Sequence, residues 1–535
     1  MTNLSIVDLL AGAEPSGPRT LDGLIARLEA GAQLRGARHD GRPIGALALG
    51  PIAVAMITCD SRRVRPGGLF VAVPGKRTDG HDHLADAATR GAVAAIVERP
   101  VPESPLPQLV VAASPAALAE AACWWYGDPS FELGVVGITG TDGKSTTCAL
   151  AVAALETAGL STGMIGTVET KIGGHREPNP EHVTTPQAPE LQATLRAMAT
   201  AGNRSAVVET TSHGLALDRV AGIAYDVAIL TNLSHEHLDL HGTFEAYRAA
   251  KLRLFEQLAR RGPAKPWPRV GIVNRDDAQA PIFEAVVRES GARLLTYGTD
   301  PTAEVRAETV EEDARRLRVE IATPRWSGPL QLQLAGRFNV HNALAVVALG
   351  EALELDPEAI RSGLESVAGI PGRMERVDAG QPFGVIVDYA HSPAALEKVL
   401  DLLAPLAAAR GGSLIAVFGS AGERDVAKRS IMGRIAGQRC RIVVLTDEDP
   451  RGESPVAILD EIARGAESAG RRRERDLLLI PERAAAIEAA FERAHAGDIV
   501  LLAGKGHERS IIAGGEARPW NERQAAIDAL RRLGY

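Results

Sequence analysis

The chain has 535 residues, 45% of them apolar, and a formal charge of −8 at pH 7. At roughly 100–200 residues per domain that length suggests three or more domains, and the negative balance gives no footing for nucleic-acid binding. No uncharged apolar run reaches the roughly 18 residues of a membrane span; residues 1–10 lack the basic region and cleavage site of a secretion signal; and four scattered cysteines with no C-x-x-C pair fit a reducing cytoplasm rather than a structural zinc.

Residues 1–48 are weakly patterned: Leu21–Leu28 fits a short helix, and Leu34–Ile44, rich in Arg and Gly, reads as a loop or insertion. From Ile52 the pattern sharpens. Thr58-Cys59-Asp60-Ser61-Arg62 leads through Pro66-Gly67-Gly68 to a strand at Leu69–Val73, then to Asp79-Gly80-His81, a helix ending near Arg90 and a strand at Ala94–Val97. This is a small α/β domain closing near Tyr126, in which Asp60-Ser61-Arg62 taken alone is a turn-closing triplet.

An apolar strand at Leu133–Ile138 runs into Gly137-Ile-Thr-Gly-Thr-Asp-Gly-Lys-Ser-Thr-Thr147, and Cys148–Leu155 reads as the first turns of a helix. A glycine-rich strand-to-helix turn ending in Lys-Ser is a phosphate cradle: backbone N–H groups converge on phosphate oxygens, Lys144 reaches the β/γ-phosphates and the Ser145 hydroxyl holds Mg²⁺. Ile138 stands where the strict pattern wants its first glycine, and Gly140 sits inside the loop instead. Next come His182-Val-Thr-Thr-Pro186, a helix at Ala188–Ala201 and a strand at Ala206–Val208. Glu209 ends that strand, where a carboxylate suits Mg²⁺ or water positioning. Thr210-Thr-Ser-His-Gly214 follows. A third strand, Val227–Leu230, enters Thr231-Asn-Leu-Ser-His-Glu-His-Leu-Asp-Leu-His-Gly242. Its histidines and carboxylates lack the helical H-E-x-x-H spacing of a zinc site, so a Mg²⁺/phosphate role for His237 fits better. Tyr247–Leu258 is helical, with Lys251 near its start, and Ala343–Leu353 is a second apolar helix.

A glycine–proline hinge at Ala368–Arg373 marks the last boundary. Beyond it, apolar strands end in polar motifs: Gly384–Val387 in Asp388-Tyr-Ala-His391, Leu414–Phe418 in Gly419-Ser-Ala-Gly-Glu-Arg424, Ile442–Leu445 in Thr446-Asp-Glu-Asp-Pro-Arg451, and Ile499–Leu502 in Gly504-Lys-Gly-His-Glu508. Strand C-termini are where open α/β sheets place ligands, and strands alternating with helices imply a mainly parallel sheet.

Together these ordered motifs resemble the Mur ligase family, the ATP-dependent enzymes that add amino acids to UDP-N-acetylmuramic acid. The likeness runs from Ile57 to the C-terminus. The family's T-G-T-x-G-K pattern is Thr139–Lys144, with Asp142 in place of the usual Asn and Ser145, which keeps the hydroxyl, in place of Thr. The resemblance implies an α/β fold of three domains: a small UDP-binding domain over residues 1–128, a central P-loop-type ATPase domain over 129–368 and a C-terminal Rossmann-like, amino-acid-binding domain over 369–535. It implies ATP and Mg²⁺ as cofactors and a cytoplasmic monomer.

The tripeptide-forming branch of the family is the nearest likeness. It adds a diamino acid to UDP-MurNAc-L-Ala-D-Glu in peptidoglycan synthesis, and so serves cell-wall biogenesis, cell shape and division. By that likeness Ser61 belongs to the uridine-nucleotide domain, and Thr184, Thr185, Thr211, Ser212 and Arg219 contact the muramoyl dipeptide. Gly140, Thr141, Asp142, Gly143, Lys144, Ser145 and Thr146 hold the ATP phosphates. Asn342 lies near adenine, Arg373 and Asp388 are hinge and nucleotide contacts, and His391 lies by the nucleotide. Lys144, Glu209, His237 and Lys251 are the implied catalytic set. Glu209, His237 and Ser145 ligate the first Mg²⁺, and Lys251, carbamylated to N6-carboxylysine, ligates a second. Arg424, Glu448, Asp449, Arg451, Gly504 and Glu508 fall where the incoming amino acid is held.

The implied reaction is attack of the D-Glu carboxylate on the ATP γ-phosphate, then attack of the diamino acid's amine on the acyl phosphate. The family's selectivity motif reads Asp-Asn-Pro-Arg for meso-diaminopimelate; here it is Glu448-Asp449-Pro450-Arg451. Arg451 can clamp a distal carboxylate, which favours diaminopimelate. Asp449 could instead neutralise Arg451 and leave ornithine or lysine preferred. Three rivals are a folylpolyglutamate-type or other Mur ligase, a non-catalytic ligase-like binding protein and a motor or signalling NTPase. The Asp60-Ser61-Arg62 domain with the Glu-Asp-Pro-Arg motif, the intact Lys144/Glu209/His237/Lys251 set and the C-terminal strand-end motifs argue against them in turn.

Overall fold

Short Val/Ile/Leu runs buried on both faces demand helices on either side, and that requirement organises the parallel parts of the three large sheets. The computed structural model describes residues 5–75, 78–179, 183–234, 238–259, 262–312, 316–334 and 336–535. The chain divides into two compact units. One is Met1–Thr309 with Glu320–Pro329 and Val340–Leu364; the other is Glu365–Tyr535 with Val310–Val319 and Leu330–Asn339. The fold class is α/β with mainly parallel sheets, as the sequence suggests. No helix among the described residues is long and apolar enough to cross a membrane.

In the first unit a six-stranded sheet has the order Arg42–Ile44, Leu34–His39, Gln108–Val111, Ala92–Val97, Gly68–Val71, Met56–Thr58. Its last four strands are parallel. The helices Asp22–Ala30 and Ser114–Tyr126 cover it, and Leu24, Leu28, Val71, Ile96, Leu109 and Trp125 share its core. The reading of 34–44 as a loop is corrected: it is a hairpin paired to Gln108–Val111. Asp40 (φ 48°) and Gly41 (φ 70°) are both left-handed, the backbone that Asp-Gly supplies to a two-residue hairpin turn. Arginines on the outward face hid the strand alternation.

The larger sheet of this unit places Thr162–Ile165, Ser205–Glu209, Gly134–Thr139, Val227–Leu230, Val270–Asn274 and Arg293–Gly298 side by side, all parallel. Gly134–Thr139, buried throughout, lies at its centre with Ser205–Glu209 and Val227–Leu230 on its flanks. All three strand ends therefore open onto one edge. The helix after the central strand spans Lys144–Thr157, beginning four residues before Cys148, and Lys251 sits in the middle rather than near the start of Phe244–Glu256.

The second unit carries a six-stranded sheet in the order Glu375–Val377, Gly384–Asp388, Ile499–Ala503, Leu414–Phe418, Ile442–Leu445, Leu477–Leu479, parallel except for the first strand. Helices Pro393–Ala408, Ala427–Arg439, Pro455–Ser468, Arg483–Glu492 and Glu522–Arg532 complete this Rossmann-like layer arrangement, and a ribbon of Ser510–Ala513 with Glu516–Pro519 stands beside it.

Candidate active site

The phosphate loop is held from its own helix and from the neighbouring strand end. Gly143 (φ 82°) caps helix Lys144–Thr157, and a Cβ there would lie 2.3 Å from Asn342 Oδ1. Asn342 thus packs on the loop, where it also accepts from the Thr147 hydroxyl at 3.3 Å. The Thr141 amide donates to the Asn232 carbonyl, the Asp142 amide to Asn232 Oδ1, and the Thr231 hydroxyl to the Asp142 carbonyl at 2.6 Å. The Asp142 side chain is exposed, so its extra charge carries little desolvation penalty. Lys144 Nζ folds over the loop to the Gly140 and Thr141 carbonyls, at 3.0 and 2.7 Å. Gly143→Ala, strained in backbone and crowded by Asn342, is expected to raise KM for ATP about tenfold or more. An unchanged KM would contradict the cradle.

Glu209, 1% exposed, joins this loop to the next cluster. Its Oε1 accepts from the Ser145 hydroxyl at 2.9 Å and its Oε2 from the Thr167 amide at 2.9 Å. Its carbonyl accepts from the Thr185 hydroxyl, which is 2.9 Å from Thr211 Oγ1. Thr184 bonds Thr167 through their hydroxyls at 2.8 Å, and Arg219 Nη1 donates to the Thr185 carbonyl at 2.9 Å. The Ser212 hydroxyl is buried without a hydrogen-bond partner among the described residues. Ser145, Thr184, Thr185, Glu209, Thr211 and Arg219 thus form one hydrogen-bonded network drawn from four segments. Lys251, 1% exposed, donates to the Gly140 carbonyl at 2.7 Å and lies 4.6 Å from the Tyr247 ring centroid. Thr146 is buried in the first turn of the helix. Ser61 opens a short 3₁₀ turn whose cap, Asp60, accepts from the Arg62 amide. His237 lies outside the described residues.

In the second unit the strand ends gather the remaining residues. Asp388 accepts from the Met374 and Ala390 amides at 2.8 and 2.9 Å. Burial raises its pKa, against the pull of the Arg373 charge. Arg373 lies 5.0 Å from the Tyr389 ring centroid, and His391 Nδ1 donates to the Tyr389 carbonyl. Arg424 is exposed in the loop after Phe418. Glu448 is buried, its Oε2 has no hydrogen-bond partner among the described residues, and burial raises its pKa against the fields of Lys428 and Lys505. Gly504 (φ 98°) lets that carboxylate approach, since a Cβ would stand 3.0 Å from Oε2.

Asp449 pairs with Lys505, not with Arg451. Its Oδ1 accepts from Lys505 Nζ at 2.8 Å and from the Ile512 amide at 2.9 Å. Lys505, fully buried, also pairs with Glu508 at 2.6 Å. Arg451 is left-handed (φ 54°), its amide donates to the Ile512 carbonyl, and its Nε is buried without a hydrogen-bond partner among the described residues. The alternative in which Asp449 neutralises Arg451 is thus not the one adopted. Lys505, Thr231 and Asn232 lie within the sequence motifs, but their spacing there shows no role; their partners in space, Asp449 for the first and the Asp142 backbone for the other two, do.

Asp447, just before Glu448, has its carboxyl pushed up to about 6 by burial, against an ordinary value of about 4. Between those pH values the folded chain keeps a proton that the unfolded chain has released, so stability falls as pH rises through the window. Asp447→Asn is therefore expected to raise Tm more at pH 7 than at pH 4; an equal change at both would contradict the burial.

Three family profiles match in order: the Mur ligase family catalytic domain at residues 53–123, the Mur ligase middle domain at 138–350, and the Mur ligase glutamate ligase domain at 372–506. A UDP-N-acetylmuramyl-tripeptide synthetase from Roseiflexus sp. (strain RS-1) is 48% identical over 90% of this chain and 95% of its own length. The chain belongs to the Mur ligase family. It is an ATP-dependent ligase. A UDP-N-acetylmuramoyl-L-alanyl-D-glutamate–2,6-diaminopimelate ligase from Geobacter metallireducens is 40% identical over 91% of this Mur ligase and 96% of its own length. A solved ligase of that same name matches at 29% identity and TM-score 0.62, covering 93% and 99% of the two chains. The MurF ligase from Thermotoga maritima, solved in complex with ADP, shares the fold at 20% identity and TM-score 0.56, covering 89% and 97%.

Proposed function

We propose that this Mur ligase joins a diamino acid, meso-diaminopimelate, to UDP-MurNAc-L-Ala-D-Glu at the expense of ATP, in the cytoplasmic part of peptidoglycan synthesis. The observation that carries the reading is the network in which Glu209 links the phosphate loop, through Ser145, to the Thr185/Thr211/Arg219 cluster. The network joins a glycine-rich, lysine-bearing turn suited to phosphates to a cluster of hydroxyls and a guanidinium suited to the group to be phosphorylated. The names of the relatives supply the substrate class. The domain edges we assign are 1–128, 129–368 and 369–535, for the UDP moiety, ATP and the amino acid respectively, in a monomer.

Lys144 and the loop amides bind the phosphates and offset charge that builds as the D-Glu carboxylate attacks the γ-phosphate in line. Thr184, Thr185, Thr211, Ser212 and Arg219 orient that carboxylate, with Ser61 on the uridine side. Ser145 and Glu209 offer hard oxygen donors that fit Mg²⁺, with His237 and a carbamylated Lys251 as the further ligands; the ion supplies charge neutralisation at the phosphates. Asn342, Arg373, Asp388 and His391 serve the nucleotide. Glu448 receives the ammonium of the incoming amino acid, and Arg424, Gly504 and Glu508 complete its site. Arg451, left unneutralised because Lys505 engages Asp449, reads the distal carboxylate.

Ligation assays with meso-diaminopimelate, L-ornithine and L-lysine offered separately test the choice. Product with diaminopimelate at a kcat/KM about a hundredfold above the other two is expected, since a site built for a charged group rejects an analogue lacking it. Preference for ornithine or lysine would contradict the role given to Arg451.

A further inference from the structure

Arg483 is fully buried at the start of helix Arg483–Glu492, and no motif pointed to it. Its guanidinium spends its donors on two kinds of acceptor. Nε and Nη2 grip the carboxylate of Glu522, at 2.8 and 2.7 Å, and that carboxylate also accepts from Trp520 Nε1 at 2.6 Å. Two further donors go to backbone: Nη1 to the Asp447 carbonyl at 2.9 Å and Nη2 to the Ala503 carbonyl at 2.8 Å.

Those two carbonyls have a particular place. Asp447 immediately precedes Glu448 and Asp449; Ala503 ends its strand immediately before Gly504 and Lys505. Their strands, Ile442–Leu445 and Ile499–Ala503, are not neighbours, because Leu414–Phe418 lies between them and pairs with both. No ladder hydrogen bond can join the two ends. A planar guanidinium with a rigid fork can, and a lysine ammonium cannot satisfy the carboxylate and both separated carbonyls at once. Glu522 cancels the buried charge that such a brace requires.

We propose that Arg483 is a positioning residue for the amino-acid site: it fixes the two strand ends from which Glu448, Asp449, Gly504 and Lys505 project. The inference rests on the function proposed above. Displacement of the loops by a fraction of an ångström would spoil recognition of the amino acid and leave the phosphate loop untouched.

The test is a set of three KM values, for the diamino acid, ATP and UDP-MurNAc-L-Ala-D-Glu, measured on the full chain. Arg483→Lys keeps the charge and the Glu522 pair but loses the span; it should raise KM for the diamino acid about tenfold or more and leave the other two within about twofold. The double variant Arg483→Met with Glu522→Met removes the brace without stranding a buried charge, as Arg483→Met alone would, and the same split is expected. Three unchanged KM values, or three that rise in parallel with a lowered Tm, would overturn the proposal. A wild-type chain that turns over none of the three diamino acids would overturn the functional reading instead.

Discussion

Lys144→Met is expected to lower kcat for ATP-dependent ligation by about a thousandfold or more, with Tm nearly unchanged. The lysine heads the helix that follows the central strand, and its ammonium hangs over the loop on two carbonyls, Gly140 and Thr141. Both bonds are partly exposed, so water replaces them when the side chain is removed, and stability changes little. Catalysis has no such substitute. Phosphoryl transfer spreads negative charge over the γ-phosphate oxygens, and a positioned cation stabilises that charge far better than water does. A variant within about tenfold of wild type would remove Lys144 from the reaction.

Lys251→Ala should cost about a hundredfold or more in kcat. The side chain is buried over Tyr247 and donates to the Gly140 carbonyl of the phosphate loop, so its end lies beside the same loop atom that Lys144 touches. Two roles predict different repairs. If the lysine acts as a carbamate, the alanine variant lacks a carboxylate, and formate or acetate should restore activity by about tenfold or more, in the manner of a displaced ligand. Intact-mass measurement of the wild type in bicarbonate should then show the carbamate. If the lysine acts as an ammonium bracing Gly140, small carboxylates will restore nothing, and the carbamylation reading falls while the loss of activity stands.

Much of this architecture can be read from the chain because strand ends in parallel sheets are where function collects. That rule points to Glu209 and to the polar motifs after the later strands, while the roles of Asp388, Glu448 and Gly504 come from the family resemblance; Glu209 and Asp388 end their strands, Gly504 follows Ala503 directly, and Glu448 lies beyond Thr446 and Asp447 after Leu445. The phosphate loop was legible from local spacing alone, because glycine placement and Lys-Ser are one continuous segment. What sequence could not supply is pairing between distant segments. Ser145 and Glu209 are 64 residues apart, and Asp449 and Lys505 are 56 apart. The choice between Asp449 restraining Arg451 and Asp449 restrained by Lys505 is a matter of a few ångströms. Arg483 was invisible because an arginine at a helix start is ordinarily a surface residue; only its burial against Glu522 marks it. The hairpin over residues 34–44 escaped notice because its exposed face carries arginines in place of an apolar alternation, although Asp40-Gly41 was a turn signal in plain view. Helix Ala427–Arg439 lacks a plain apolar stripe for a similar reason: Lys428, Arg434 and Arg439 are spread among and around its buried Met432, Gly433, Ile435 and Ala436.

The most direct measurement is ADP release in four mixtures: ATP and Mg²⁺ alone, with UDP-MurNAc-L-Ala-D-Glu, with meso-diaminopimelate, and with both. The account predicts sustained release only when both are present, with ADP and tripeptide product formed in equal amounts. Release at the same rate without the diamino acid or without the nucleotide dipeptide would contradict it, because the phosphate loop would then serve hydrolysis rather than amide-bond formation.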